Sequence, residues 1–246
     1  MPAKKRQKRQ AAEQPAPAQP ASPDAEAESP EQAQLRTRRG LRFLILFAAV
    51  MVLVIVGGVI YLRWNAARVA AEYRYNGFDF SPVHQGSLTL WLTQIQSKGK
   101  AYSIPFYTHP RDAESVVLQQ GVTDWLVRPE LRPDVLYLTF PVNAGSSVVI
   151  AGVEISRITG FRYDLLNIET HGALQQPAGN ETNTAVITCA NATRSVGVLS
   201  FEAGKNDIIY RDTGNPYCLH IQYVNASESI RVADRFAYGL LRIMPG

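Results

Sequence analysis

The chain has 246 residues, 46% of them hydrophobic and 19% charged, with a formal net charge of +4. Residues 1–42 hold nine Lys/Arg against five acids, and the rest of the chain holds 16 of each sign, so the basic excess belongs to the N-terminal part. A neutral remainder gives no electrostatic basis for nucleic-acid binding there, and its ordinary composition excludes a chain that is disordered throughout.

Residues 1–42 read as a disordered, basic cytoplasmic tail. Positions 10–34 are mostly Ala, Pro, Gln, Glu and Ser and offer too little apolar surface to offset the entropy of ordering. The cluster Lys4, Lys5, Arg6, Lys8 and Arg9 could touch anionic lipid or nucleic acid, or simply help to fix topology.

Residues 43–62, FLILFAAVMVLVIVGGVIYL, form an uncharged run of 20 residues. At about 1.5 Å per residue a helix of that length spans roughly 30 Å, the thickness of a bilayer hydrocarbon core. A transmembrane helix is therefore expected, with membrane lipid as its partner and Tyr61 and Trp64 at its far interface. Arg36, Arg38, Arg39 and Arg42 precede it, whereas Arg63, Arg68 and Arg74 follow, which favours a cytoplasmic N-terminus. Val69-Ala70-Ala71 could serve as a cleavage site, but the apolar run exceeds the roughly 7–15 residues of a cleaved signal, so an uncleaved signal-anchor is expected.

After a juxtamembrane linker over 63–76, residues 77–246 read as one extracytoplasmic domain, α+β or α/β with a mixed sheet. The alternation in 88–96 and the turn at Ser97-Lys98-Gly99-Lys100 predict a hairpin with a returning strand over 101–107, where Pro105 points to an edge or a bulge. His109, Asp112 and Glu114 lie where a short helix begins behind Pro110. Residues 116–134 look irregular, and 135–142 a strongly apolar strand. Apolar positions at helical spacing predict a helix over 146–159, ending at Gly160, with 161–168 returning as a strand in a β-α-β unit. A surface loop is expected over 169–184, followed by short strands at 185–189, 196–202, 208–211 and 218–223. The expected last element is an amphipathic helix over 227–244, capped by Ser227 and closing the core with Ile230, Ala233, Ala237, Leu240, Leu241 and Met244.

Cys189 and Cys218 are the only cysteines. At strand ends in an oxidising compartment they point to a disulfide, with a metal pair or a reactive thiol as the alternatives. Asn180, Asn191 and Asn225 open N-glycosylation sequons, or are plain surface asparagines, Asn225 then serving a turn. His84, His109, His171 and His220 are scattered without ligand spacing. No nucleophile elbow, phosphate loop or dinucleotide fingerprint is present in the sequence, so no catalytic residue, metal ligand or cofactor is assigned.

Three segments, IPFYTHPRDAESV (104–116), ITCANAT (187–193) with the later Cys218, and ADRFAYGLLRIM (233–244), together resemble uncharacterised single-pass membrane proteins of small-genome DPANN archaea. The likeness spans about residues 76–246, although Tyr217-Cys218-Leu219-His220 is more polar than that resemblance leads one to expect. It implies an archaeal cell surface, where disulfides and N-glycosylation are at home, and no activity. The expected function is a membrane-anchored binding or scaffold domain with a protein partner in the envelope. The alternative is an envelope enzyme of hydrolase type with a site assembled only in three dimensions.

Overall fold

The computed structural model describes residues 30–179 and 184–246. The tail over 1–29 and the sequon at Asn180 lie outside the described residues. Helix α1 runs unbroken over Pro30–Glu72, 43 residues, and its stretch Leu41–Val69 is long and apolar enough to cross a membrane. Residues 30–42 and 63–72, expected as tail and linker, are thus helical. The first is rich in Arg, Leu and Gln and the second in Ala and Arg, residues that extend a helix readily once the apolar run has nucleated it.

The remaining residues form an α+β unit with two sheets. The smaller is an antiparallel meander, β1 (Arg74–Tyr75), β2 (Phe78–Gln85), β3 (Leu88–Ser97) and β4 (Lys100–Phe106), in that order. Its first and last turns are the pairs Asn76-Gly77 and Lys98-Gly99, all four residues at positive φ. That is the twist a two-residue hairpin requires. β4 is an edge strand, which accommodates Pro105 opposite Leu92.

A short helix α2 (Pro110–Ala113) follows β4, then β5 (Val117–Leu118), α3 (Asp124–Val127) and a 3-10 turn at Pro129–Leu131. The larger sheet adds β6 (Val135–Phe140), β7 (Glu169–Leu174), β8 (Val196–Ala203), β9 (Ile208–Arg211) and β10 (Cys218–Tyr223), in the order β5-β9-β10-β8-β6-β7. Strands β10, β8, β6 and β7 are parallel, and β9 is antiparallel to β10. Helix α4 (Ser146–Thr159) links β6 to β7, and α5 (Ser229–Leu240) follows β10.

The return strand after α4 is 169–174, not 161–168. Asp164 and Asn167 both take positive φ, which coils 161–168 into turns that bury Tyr163 and Leu166. The polar stretch 169–174, expected as loop, is instead a strand, β7, paired to β6 along its full length. Residues 185–189 supply only an isolated bridge, Val186 to Leu174, before a 3-10 turn at Cys189–Asn191.

Helix α5 is buried from Val232 to Leu240 on nearly every side, not along one face. It contacts β9 and β10 of the larger sheet, and Tyr238 meets the Phe106 ring of the smaller sheet at 4.4 Å between centroids. The domain is therefore layered, with α5 between the two sheets and α4 packed beside it. Two polar residues of α5 hold the β4–α2 connection: the Thr108 amide donates to Asp234 Oδ2 at 2.7 Å, and the Tyr238 hydroxyl donates to the Thr108 carbonyl. Ser227 does not cap α5. The Asn225 Oδ1 accepts from the amides of Ser227 and Glu228 at 3.1 and 3.2 Å, the turn role open to it from sequence.

Candidate functional site

Two surfaces of the domain merit description from their residues upward. The first is the face of the larger sheet turned away from α4 and α5. Alternation along parallel β8 and β10 puts Val198, Ser200 and Glu202 on that face beside Cys218, His220 and Gln222. Cys218 is bonded to Cys189. The bond fastens the 185–195 segment over this side of the sheet, where Ala192, Val198 and Cys218 form a small apolar cluster. Asn215 reinforces it, donating from Nδ2 to the carbonyls of Cys189 and Ala192 at 2.8 and 2.9 Å.

Beside the disulfide, His220 lies between two carboxylates. Its Nε2 is 3.1 Å from Asp212 Oδ2 and 3.7 Å from Cys189 Sγ. Its Nδ1 is 3.1 Å from Glu202 Oε2, at the distance of an ion pair but without the direction of a hydrogen bond. Tyr210 stacks on the imidazole at 4.8 Å and donates its hydroxyl to Glu202 Oε1 at 2.7 Å. Burial, with that bond to Glu202, pushes the Tyr210 phenol up to about 12. Hydrogen bonds from His220 and from the Asn215 and Gly214 amides hold the Asp212 carboxyl below its ordinary range. The arrangement has the parts of a nucleophile–base–acid relay, but the sulfur is spent in the disulfide, so no nucleophile faces the base in this oxidised state.

The second surface is an open groove of about 250 Å³ between α4 and the edge strand β7. Leu138, Phe140, Gly152 and Gly172 line it, and Val149 and Val153 form one rim. Gly152 lets the Phe140 ring pack directly against α4, since a Cβ there would stand 2.3 Å from Phe140 Cζ. Val149, Val153 and Phe161 are 47%, 44% and 67% exposed, a run of large apolar residues along the outer face of α4 and the turn behind it. β7 is the last strand of the sheet, and among the described residues Val186 bridges to it at Leu174 alone. A free strand edge beside an apolar groove is the geometry that accepts an added strand.

His171 lines the groove, whereas His84, His109, Asp112 and Glu114 fall outside both places. His109 is buried and its Nδ1 accepts from the Arg111 amide at 3.3 Å, so it starts α2 together with Pro110. Asp112 lies in the first turn of that helix and Glu114 ends it. His84 bonds Thr89 at 3.0 Å on the surface, and His171 pairs with Glu169 at 2.8 Å. Asn191 and Asn225 are both exposed, as sequons must be. Sequence reasoning passed over His220 because no second histidine stands at ligand spacing. The signal was period two: His220 follows Cys218 by two residues, so both project from one strand face.

Comparison with models of protein families, with curated proteins and with solved structures gives no match in any of the three.

Proposed function

We propose that this chain is a single-pass protein of the cell membrane, its N-terminus cytoplasmic and its α+β domain outside, and that the domain binds or scaffolds a protein of the envelope. The observation that carries the reading is the apolar groove beside the β7 edge, which has no strand partner before Leu174 among the described residues, a surface of the kind that binds rather than catalyses. A partner segment in extended conformation would pair its backbone with β7 and set an apolar side chain between Val149 and Val153. The anchor reading draws on the apolar stretch of α1, and the direction on the upstream arginines. The resemblance to DPANN archaeal membrane proteins supports an archaeal cell surface, with Asn180, Asn191 and Asn225 as acceptors for N-glycans. A hydrolase would have to use the Asp212–His220 pair, whose neighbouring sulfur is bonded.

Six lysines make the test compact: Lys4, Lys5 and Lys8 in the tail and Lys98, Lys100 and Lys205 in the outer domain. A membrane-impermeant amine cross-linker on intact cells should modify the second set, spare the first, and yield a discrete adduct with one envelope protein. Val153→Glu should reduce the adduct at least about tenfold, since a charge in a desolvated apolar contact costs more than the roughly 1.4 kcal/mol that corresponds to that factor. Labelling of the tail set alone would reverse the topology, and an adduct insensitive to Val153→Glu would remove the groove from the reading.

A further inference from the structure

We propose that the Cys189–Cys218–His220 corner is a redox-gated site for a thiophilic divalent cation of the zinc class. In the oxidised chain the two sulfurs are bonded to each other and cannot serve as thiolate ligands. Reduction by a dithiol or a phosphine breaks the S–S bond. A dithiol supplies two electrons and two protons and leaves as its own disulfide; a phosphine supplies the two electrons and leaves as its oxide, with one water giving the oxygen and both protons; either way two thiols result. Cation binding then releases both thiol protons to solvent and leaves two thiolates in place.

The donor set around that bond is already gathered. The two sulfurs and a ring nitrogen of His220 all lie within 4.8 Å of one another. A tetrahedral ion with Zn–S near 2.3 Å and Zn–N near 2.0–2.1 Å sets sulfur and nitrogen about 3.6 Å apart. Cys189 Sγ and His220 Nε2 stand 3.7 Å apart. Asp212 Oδ2 lies 3.1 Å from the same Nε2 but outside that set of three, so the fourth position of the ion falls to solvent. That carboxylate is held in place, because its Oδ1 already accepts from the amides of Gly214 and Asn215 at 2.8 and 2.7 Å.

A metal-bound histidine presents one nitrogen to the ion and donates from the other to a carboxylate, which fixes the tautomer and orients the ring. His220 faces Glu202 at ion-pair distance, 3.1 Å from Nδ1, and a turn of the ring toward the ion would align the two as a hydrogen bond. Glu202 is itself held by the Tyr210 hydroxyl at 2.7 Å, and Tyr210 lies flat against the imidazole, 10° from parallel. A disulfide alone requires none of this relay from Tyr210 through Glu202 to His220.

The test uses the full chain in detergent micelles, reduced with a phosphine, freed of reductant without air, and titrated with Co²⁺ and then Zn²⁺. One cobalt per chain is expected, with the intense visible bands of a tetrahedral site and sulfur-to-cobalt charge transfer, displaced by zinc. The unreduced chain should bind none. Glu202→Gln, which touches no ligand atom of the ion, should weaken binding about 10–100-fold, the range seen when such outer-shell partners are lost. His220→Ala should weaken it further and shift the visible bands. Absence of stoichiometric cobalt, an octahedral spectrum, or equal binding by the unreduced chain would overturn the proposal. So would affinity indifferent to both Glu202→Gln and His220→Ala, which is the behaviour of a loose dithiol. A reduced chain that loses its fold and does not regain it with the cation overturns it as well.

Discussion

Asp234 shows what a buried helix demands of single residues. It is fully buried, its Oδ2 accepts from the Thr108 amide, and its Oδ1 has no hydrogen-bond partner among the described residues. Burial raises its carboxyl well above the ordinary 3.8, and Glu154, facing it from α4, raises it further. A native value above the unfolded one means that the folded chain holds the proton more tightly. The stability this group contributes is full below about 3.8 and is lost as pH rises through the native value. Asp234→Asn keeps an acceptor for Thr108 and does not titrate. In urea denaturation at stepped pH, the stability of the parent minus that of Asp234→Asn should therefore fall steadily as pH climbs above the ordinary carboxyl range. A difference that stays flat would mean the carboxylate is ionised in the fold. Gly197 poses the opposite demand, for space. A Cβ there would stand 2.5 Å from Trp125 Cη2 and 2.9 Å from Leu136 Cδ1, both in the packed core. Gly197→Ala should cost about 1–3 kcal/mol by overpacking, read as a lower denaturant midpoint with unchanged slope. An unshifted midpoint would show that the indole yields.

At the scale of elements, the disulfide is a clasp between a strand and a segment with little regular structure of its own. Only one bridge and one 3-10 turn organise residues 185–195, so their hold on the sheet depends on Cys189, on Asn215 and on a small apolar cluster. With the cysteines separated by 29 in sequence, the chain-entropy model gives about 3.5 kcal/mol. Replacing either cysteine by Ser should cost about 2–5 kcal/mol in thermal or urea unfolding, and the double replacement no more than either single one, because each removes the same cross-link. Clear additivity of the two singles would mean that the cysteines contribute by packing instead. The elements legible in the sequence were those whose information is local: the apolar run of α1, the helical spacing of 146–159, the alternation in β3, the turn-bounded strands β8, β9 and β10, and the pairing of two cysteines. Misread were those settled by backbone exceptions or by neighbours. Asp164 and Asn167 coil an apolar stretch that looks extended, and β7 is a strand because β6 offers it an edge, although its own residues are polar.

At the scale of the whole domain, what the sequence hid was layering. The pattern of α5 announces one apolar face, but Asp234, Arg235 and Tyr238 are buried too, because a second sheet covers the helix from the other side. Periodicity within one helix carries no record of that second cover. The candidate surfaces were hidden for the same reason. The groove needs β7 beside α4, and the histidine corner needs β8, β9 and β10 in register with the 185–195 segment.

The position of α5 in the chain also bears on how the domain comes into being. Both sheets are complete in sequence by Tyr223, yet the helix that lies between them spans Ser229–Leu240. A chain emerging residue by residue during its synthesis thus exposes Phe80, Phe106, Leu219 and Ile221 before the element that covers them has arrived. The pairing of Thr108 with Asp234 and Tyr238 reaches back over more than a hundred residues to the first sheet. Contacts of that span make folding slow and leave sticky intermediates. Folding of this domain is consequently a race between delivery of one helix and association of two unshielded sheets, and it is where a holding chaperone would act.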